Sequence, residues 1–402
     1  LEKSFLVSAV LVSLFCWLQC VLDIWLQFPL ETFEVPRELT LLCPGCTSRI
    51  FGFPHPSGFA IEPQFMGNLL LAPTLYSFYL FLKLSSSEKP KVKLKSAFLL
   101  TFLLTTLLLV FSRGAIYSFG IGLIFLLLVW TFKFRLPTKK LLQTLTLGVI
   151  SLVICLSAQA IFANSDKSPR SIKCTLSTSL AQLTLDLVNF DCRSEYAIRR
   201  YEFSQTSNSE ISAPSAYEAN HPQSPETDDS NPDQAPSEPV FSGYVAESTN
   251  IRLGFNQKAL EVALETPAQF IFGSGLGSAG KILYERGKTS SEMEIVQNEY
   301  FSLLLETGLI GLVLLLLSLA LLIKLFRDKT AKPAASPRHI SLISSPESAF
   351  ILSTILAFAF SLNFFSGLPN ALHLYLFPVI LLAFLNFSTK NLTPVSPRKT
   401  KP

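Results

Sequence analysis

Long stretches of Leu, Phe, Ile and Val alternate with short polar segments along this chain, and their lengths limit what each can be. A helix needs about 20 apolar residues to cross a hydrocarbon layer of ~30 Å. Runs of that order occupy 4–28, 65–82, 142–162, 301–323, 347–365 and 371–387. A further run covers 96–132. At about 1.5 Å per residue it would be ~55 Å long, too long for one span. Ser112-Arg113-Gly114 interrupts it near the middle, so it divides into 96–111 and 115–132 around a tight turn. The pattern predicts an all-α fold, a polytopic transmembrane helical bundle of eight spans with a large extracytoplasmic loop.

Basic residues orient the spans. Lys83, Lys89, Lys91, Lys93 and Lys95 form one cluster, and Lys133, Arg135, Lys139 and Lys140 the next. Lys324, Arg327, Lys329, Lys332 and Arg338 form a third, and Arg398, Lys399 and Lys401 lie in the tail. With eight spans all four clusters fall on one side. The bias of Lys and Arg toward cytoplasmic loops makes that side the cytoplasm. An undivided 96–132 run would instead put 83–95 and 133–141 on opposite sides. The predicted organisation is five spans in 1–162, the extracytoplasmic loop in 163–300, and three spans with a basic cytoplasmic tail in 301–402. Within the loop, 204–240 is rich in Ser, Pro, Asn, Asp and Glu and contains no Lys or Arg. Such a stretch buries too little apolar surface to fold, so it reads as a disordered acidic insert. Asn256 to Leu264 has helical apolar spacing, and Thr266-Pro267 ends it. Leu1 in place of Met predicts a truncated or processed start. The run 4–28 is too long for a signal peptide, and no small-residue cleavage site follows it.

Composition agrees with this picture. The 402 residues are 49% hydrophobic, 15% charged, and have a mean hydropathy of +0.41. A soluble chain carries roughly 25% charged residues. The net charge of +4 by itself argues neither for nor against nucleic acid. Partners are expected to be membrane lipids and the substrates discussed below, with no nucleic acid. Of seven cysteines, Cys16, Cys20 and Cys155 lie within spans. Cys43, Cys46, Cys174 and Cys192 fall on the extracytoplasmic side, where disulfides form. Cys174–Cys192 is one candidate pair, although pairing cannot be read from spacing. Cys43-Pro-Gly-Cys46 alone offers half the ligands of a structural metal site.

Arg113 is the most informative side chain. An arginine at membrane depth costs several kcal/mol unless it meets a partner or a cavity. It either snorkels to the interface or binds an anion, and its planar fork suits a phosphate carried on a lipid. A second group closes the large loop: Glu247-Ser-Thr-Asn-Ile-Arg252, Phe272-Gly273-Ser-Gly275-Leu-Gly277-Ser278, and Gln297-Asn298-Glu299-Tyr300. The last of these sits at the entrance of the span at 301, and each residue alone also reads as an ordinary loop or cap. Gly275-Leu-Gly277-Ser-Ala-Gly280 matches G-x-G-x-x-G, but no βαβ unit surrounds it, so it is not a dinucleotide site. It reads as a turn that lets backbone approach a neighbour or a ligand. A third group runs from Arg49 to Glu62 and Pro63. Glu62 is either a base, an acceptor-binding carboxylate, or a side chain answering a helix dipole. The four histidines are scattered, and Walker A, G-x-S-x-G and H-E-x-x-H sequences are missing. A nucleotide-driven pump has no basis in these residues.

In this order the motifs resemble those of the O-antigen ligase and O-antigen polymerase family of polytopic bacterial membrane proteins. Ser112-Arg113-Gly114-Ala115 opens a span, a large loop follows, and then come Glu247-Ser-Thr with Arg252 and Gly273-Ser-Gly275-Leu-Gly277-Ser278. Gln297-Asn298-Glu299-Tyr300-Phe301 leads into Leu305-Glu306-Thr-Gly308-Leu-Ile-Gly311. The resemblance covers roughly residues 50–325. It implies a multi-pass protein of the bacterial inner membrane, and a glycosyltransferase that needs no metal or other cofactor. The donor would be a glycan on undecaprenyl diphosphate, and the acceptor a lipid, a glycan or a protein. Arg113 and Arg252 would bind the donor diphosphate. Gln297 stands where many family members have His, and an amide cannot act as a general base. It would orient the acceptor hydroxyl or the diphosphate, with Glu299, Glu294 or Glu62 supplying the base. Arg49, Glu62, Asn298, Glu299 and Tyr300 would line the substrate site. The alternative function is a non-enzymatic transporter or flippase of lipid-linked glycans. The family usually has more spans before the matched region, in keeping with a truncated start.

Overall fold

A computed structural model of the chain describes residues 2–22, 49–50, 53–54, 56, 63–84, 88–165, 184, 244–289, 292, 296–330 and 345–364. Its helices are α1 (Glu2–Val21), α2 (Pro63–Lys83), α3 (Pro90–Leu109), α4 (Arg113–Phe134), α5 (Thr138–Ser165), α6 (Tyr244–Ala263), α7 (Pro267–Phe272), α8 (Ala279–Glu285), α9 (Glu299–Thr330) and α10 (Pro346–Ser361). Six of them are long and apolar enough to cross a membrane: α1 to α5, and α9 over Glu299–Leu321. At 16 residues, α10 is a shorter apolar helix. The all-helical membrane class read from the sequence holds. Among the described residues the only strands are β1 (Arg49–Ile50) and β2 (Phe53–Pro54), an antiparallel pair with Arg49 opposite Pro54. The predicted span 371–387, the insert 204–240 and Cys43, Cys46, Cys174 and Cys192 lie outside the described residues.

Backbone contacts divide the chain into two units, residues 1–169 with 251–402 and residues 170–250. Of the second, the structure describes only residue 184 and residues 244–250. In the first, α2 is the central rod, packed against α1, α3, α4 and α10, while α5 lies along α3. The core is aromatic: Tyr76 and Tyr79 on α2 meet Phe350 of α10 at ring-centre distances of 5.2 and 5.3 Å. Small residues let the backbones close in. A Cβ on Gly122 of α4 would lie 2.8 Å from Ala357 Cβ of α10. Many residues on the outward faces are apolar and bare, as at Phe98, Phe132 and Leu142, which is how a helix surface meets lipid rather than water.

The 96–132 run is divided as expected, with one adjustment. The break spans residues 110–112, where Phe111 takes a left-handed φ of 55°, and Arg113 and Gly114 are already helical. Ser112 is the N-cap, its hydroxyl accepting from the Ala115 N–H at 3.4 Å. Hydropathy sees Ser-Arg-Gly as the interruption, whereas the backbone turns two residues earlier and uses the serine to start the next helix. Thr266-Pro267 is adjusted in the same way: it separates α6 from α7, and Thr266 caps the start of α7.

One end of the bundle is basic. The Lys140 ammonium of α5 donates to the terminal carbonyls of α2, at Phe81 (3.0 Å), Leu82 (2.7 Å) and Leu84. These are groups a helix end leaves unsatisfied. Lys83 at the end of α2 pairs with Glu347 at the start of α10, 2.8 Å apart. Lys89 to Lys95 and Lys133 to Lys139 flank the same connections. The opposite end gathers the starts of α2, α4 and α9 with the finishes of α3 and α10, and it holds the candidate site.

Candidate functional site

The end of α10 and the turn that follows it, through Phe364, tie two helix starts together. A Cβ on Gly114, the second residue of α4, would lie 2.6 Å from Phe364 Cβ. Two residues earlier, the Leu362 carbonyl accepts from the Glu299 N–H that opens α9, at 2.8 Å. The Tyr300 hydroxyl donates to the Ala359 carbonyl at 2.6 Å. The start of α2 joins the group, since a Cβ on Gly67 would sit 2.7 Å from Ala115 Cβ and 2.8 Å from Ser112 Cβ. Three helix N-termini therefore point to one end of the bundle, and each carries partial positive charge. Arg113, half-buried, stands in the first turn of α4. The finishes of α3 and α10 bring the opposite partial charge to the same end, so the group there with the chemistry to attract an anion is the Arg113 guanidinium.

Gln297 to Tyr300 sit at the helix entrance that the sequence predicts, although α9 begins at Glu299 rather than 301. The Asn298 side-chain oxygen accepts from the N–H groups of Tyr300 (3.0 Å) and Phe301 (3.3 Å), so Asn298 is the helix cap. Tyr300 spends its hydroxyl proton on α10. The Glu299 side chain is buried. The Gln297 side-chain oxygen is buried with no hydrogen-bond partner. Arg252 lies half-buried on α6, and Arg49 is in β1 opposite Pro54. Glu62 and Glu294 lie outside the described residues.

Beside this entrance the glycine-rich turn 273–278 clasps a broken helix. At Gly308 the backbone of α9 leaves the helical region (φ 68°, ψ −167°). That break strands the carbonyls of Leu305 and Glu306, and the turn supplies their partners. Ser274 N–H donates to Leu305 O at 2.9 Å and Gly275 N–H to Glu306 O at 2.8 Å. The buried Glu306 carboxylate accepts from Gly277 N–H at 2.9 Å and more distantly from Ala279 N–H at 3.4 Å. A Cβ on Gly273 would strike the Glu306 carbonyl, and one on Gly308 would strike the Ile271 carbonyl, so the two glycines fit each other backbone to backbone. The turn approaches a neighbour, as the sequence suggests, and that neighbour is α9. The helices behind the turn are tied by the Arg286–Glu265 (2.7 Å) and Lys288–Glu261 (3.0 Å) pairs. The Lys288 ammonium bonded to Glu261, with Gln257 adding a second bond, holds that carboxyl below its usual range.

Two polar residues here escape a reading by hydropathy. Glu306 is an ionisable residue inside the predicted span 301–323, which is itself a signal of a special site. Asn68 is a lone amide in the run 65–82, fully buried, with neither its nitrogen nor its oxygen hydrogen-bonded. An unsatisfied buried polar group costs about 1–3 kcal/mol. Asn68→Leu, the nearest apolar shape, is therefore expected to raise stability by about 1 kcal/mol. Thermal unfolding in detergent checks this, and an unchanged or lower midpoint would mean that the amide is satisfied in the folded protein.

The fold defines a polytopic integral membrane protein with Arg113 at the end of its bundle opposite the basic one. A family model described as O-antigen ligase matches residues 98–316, more than half of the chain, and the chain belongs to that family. It is thus a membrane glycosyltransferase of the O-antigen ligase type, a protein of polysaccharide biosynthesis acting on a lipid-linked glycan. No match was found among curated proteins or among solved structures.

Proposed function

We propose that this chain transfers a glycan from undecaprenyl diphosphate to a lipid, glycan or protein acceptor at the extracytoplasmic face of the bacterial inner membrane. The observation that carries the reading is the junction of the Arg113 helix start with the Gln297–Tyr300 helix start through Leu362 and Phe364 at the end of α10. The positive-inside bias assigns the basic end to the cytoplasm and this junction to the other face. In this reading Arg113 and Arg252 hold the donor diphosphate, Gln297, Asn298, Glu299 and Tyr300 line the acceptor side, and Arg49 and Glu62 are further substrate-binding residues. An acceptor hydroxyl attacks the anomeric carbon, and the bond from that carbon to the diphosphate oxygen breaks. Undecaprenyl diphosphate departs carrying the negative charge that the guanidinium groups stabilise. The hydroxyl proton passes to a carboxylate, for which Glu299, buried at the head of α9, is our assignment.

The test is transfer in proteoliposomes that hold a polyprenyl-diphosphate-linked oligosaccharide and a panel of lipid, glycan and peptide acceptors. The expected outcome is acceptor-dependent release of polyprenyl diphosphate. Tight donor binding with no transfer to any acceptor would overturn the reading and favour a carrier of lipid-linked glycans.

A further inference from the structure

Residues around the glycine turn present a bare apolar strip outside the spans. Phe272 is 67% exposed, Leu276 70% and Ile271 40%. Water-facing protein surface seldom keeps such residues side by side without a partner. The strip is not isolated. Ile271 and Phe272 lie directly against Gly308, and the next residues of α9, Leu309 and Ile310, are exposed at 38% and 46%, followed by Leu314 at 58%. The strip and the outward face of the α9 span thus form one apolar surface.

A second observation gives the depth of this surface. The break at Gly308 is non-helical backbone within a membrane-crossing helix, and such backbone is tolerated at membrane depth only where protein covers its polar groups. The turn provides that cover through the N–H groups of Ser274 and Gly275. Charged residues keep to the neighbouring helices, where Lys281, Glu285 and Arg286 of α8 and its end are exposed. An apolar edge beside a charged face is the arrangement of an element lying in the membrane interface.

We propose that α7 and the glycine turn are embedded in the interfacial layer of the bilayer, with Ile271, Phe272 and Leu276 in contact with lipid. The strip then acts as an anchor that seats the Glu306 clasp at headgroup level. The test uses Phe272→Trp and Leu276→Trp in proteoliposomes, with the wild-type emission subtracted to isolate the added indole. Lys281→Trp on α8 is the aqueous control. Acyl-brominated lipid should remove most of the added emission at 272 and 276, which should also be blue-shifted, while aqueous iodide leaves it nearly unchanged. The control should respond the opposite way. Quenching by iodide at 272 and 276 would place the strip in water and overturn the proposal. Protection from both quenchers would place it under protein, either another segment of this chain or a second copy, and would also overturn it. Unchanged thermal unfolding of the exposed-site variants confirms that the fold is intact. The measurement needs no substrate, so its outcome is independent of the transfer assay.

Discussion

Arg113→Ala is expected to lower glycan transfer by about 10²–10³-fold, the loss that follows removal of one preorganised charge-stabilising donor. The chemistry develops negative charge on a diphosphate leaving group at the membrane surface, and Arg113 stands in the first turn of α4 among converging helix starts. Its helix does not depend on it, because Ser112 supplies the cap and Gly114 and Ala115 make the close contacts. The variant should therefore fold, and the loss should appear in turnover. Arg113→Lys keeps the charge but not the bidentate fork, so it should fall between wild type and alanine. The check is initial transfer rate in proteoliposomes at matched protein content. A well-folded alanine variant retaining near wild-type turnover would reduce Arg113 to an interfacial anchor.

Gly308→Ala is expected to destabilise the protein by at least ~3 kcal/mol, combining a glycine-only backbone conformation with an added atom that has no room. The φ of 68° with ψ of −167° lies where an L side chain is strained. The added methyl would strike the Ile271 carbonyl, and that strand of chain cannot retreat while Gly273 rests on the Glu306 carbonyl. Relieving the clash means pulling the turn away and stranding the Leu305 and Glu306 carbonyls together with the Glu306 carboxylate. The yield of monodisperse protein and the thermal midpoint in detergent report the effect. A variant that matches wild type in both would mean that α9 is continuous through 308.

Hydropathy was enough for the six spans among the described residues because it depends on composition over whole helices, while the run 347–365 proved to be the shorter helix α10. The division at Ser112-Arg113-Gly114 was legible because only a turn there put Lys83–Lys95 and Lys133–Lys140 on one side. The polar helix entrance at 297–300 was legible for a similar reason, since Gln297-Asn298-Glu299 abuts a long apolar run. The break at Gly308 was not. A single glycine in an apolar run is tolerated by a continuous helix, and its backbone partner Gly273 lies far away in sequence. Nor could composition tell that Tyr300 ties α9 to α10 while Asn298 caps α9, because the same residues at a helix entrance also suit an acceptor site. Asn68 was hidden by averaging: one amide barely lowers the hydropathy of its window, yet its burial is complete.

The placement of α10 between α2 and α4 has a consequence for how the protein is made. Roughly 210 residues separate the end of α4 at Phe134 from the start of α10 at Pro346. At ribosomal speeds of ~5–20 residues per second, that interval lasts on the order of 10–40 s. Throughout it, the groove that will receive Phe350 and Ala357 is open to lipid or to the insertion machinery. Biogenesis of this bundle therefore cannot be completed from the first helices onward. The early spans wait in the bilayer for a late one to complete their core.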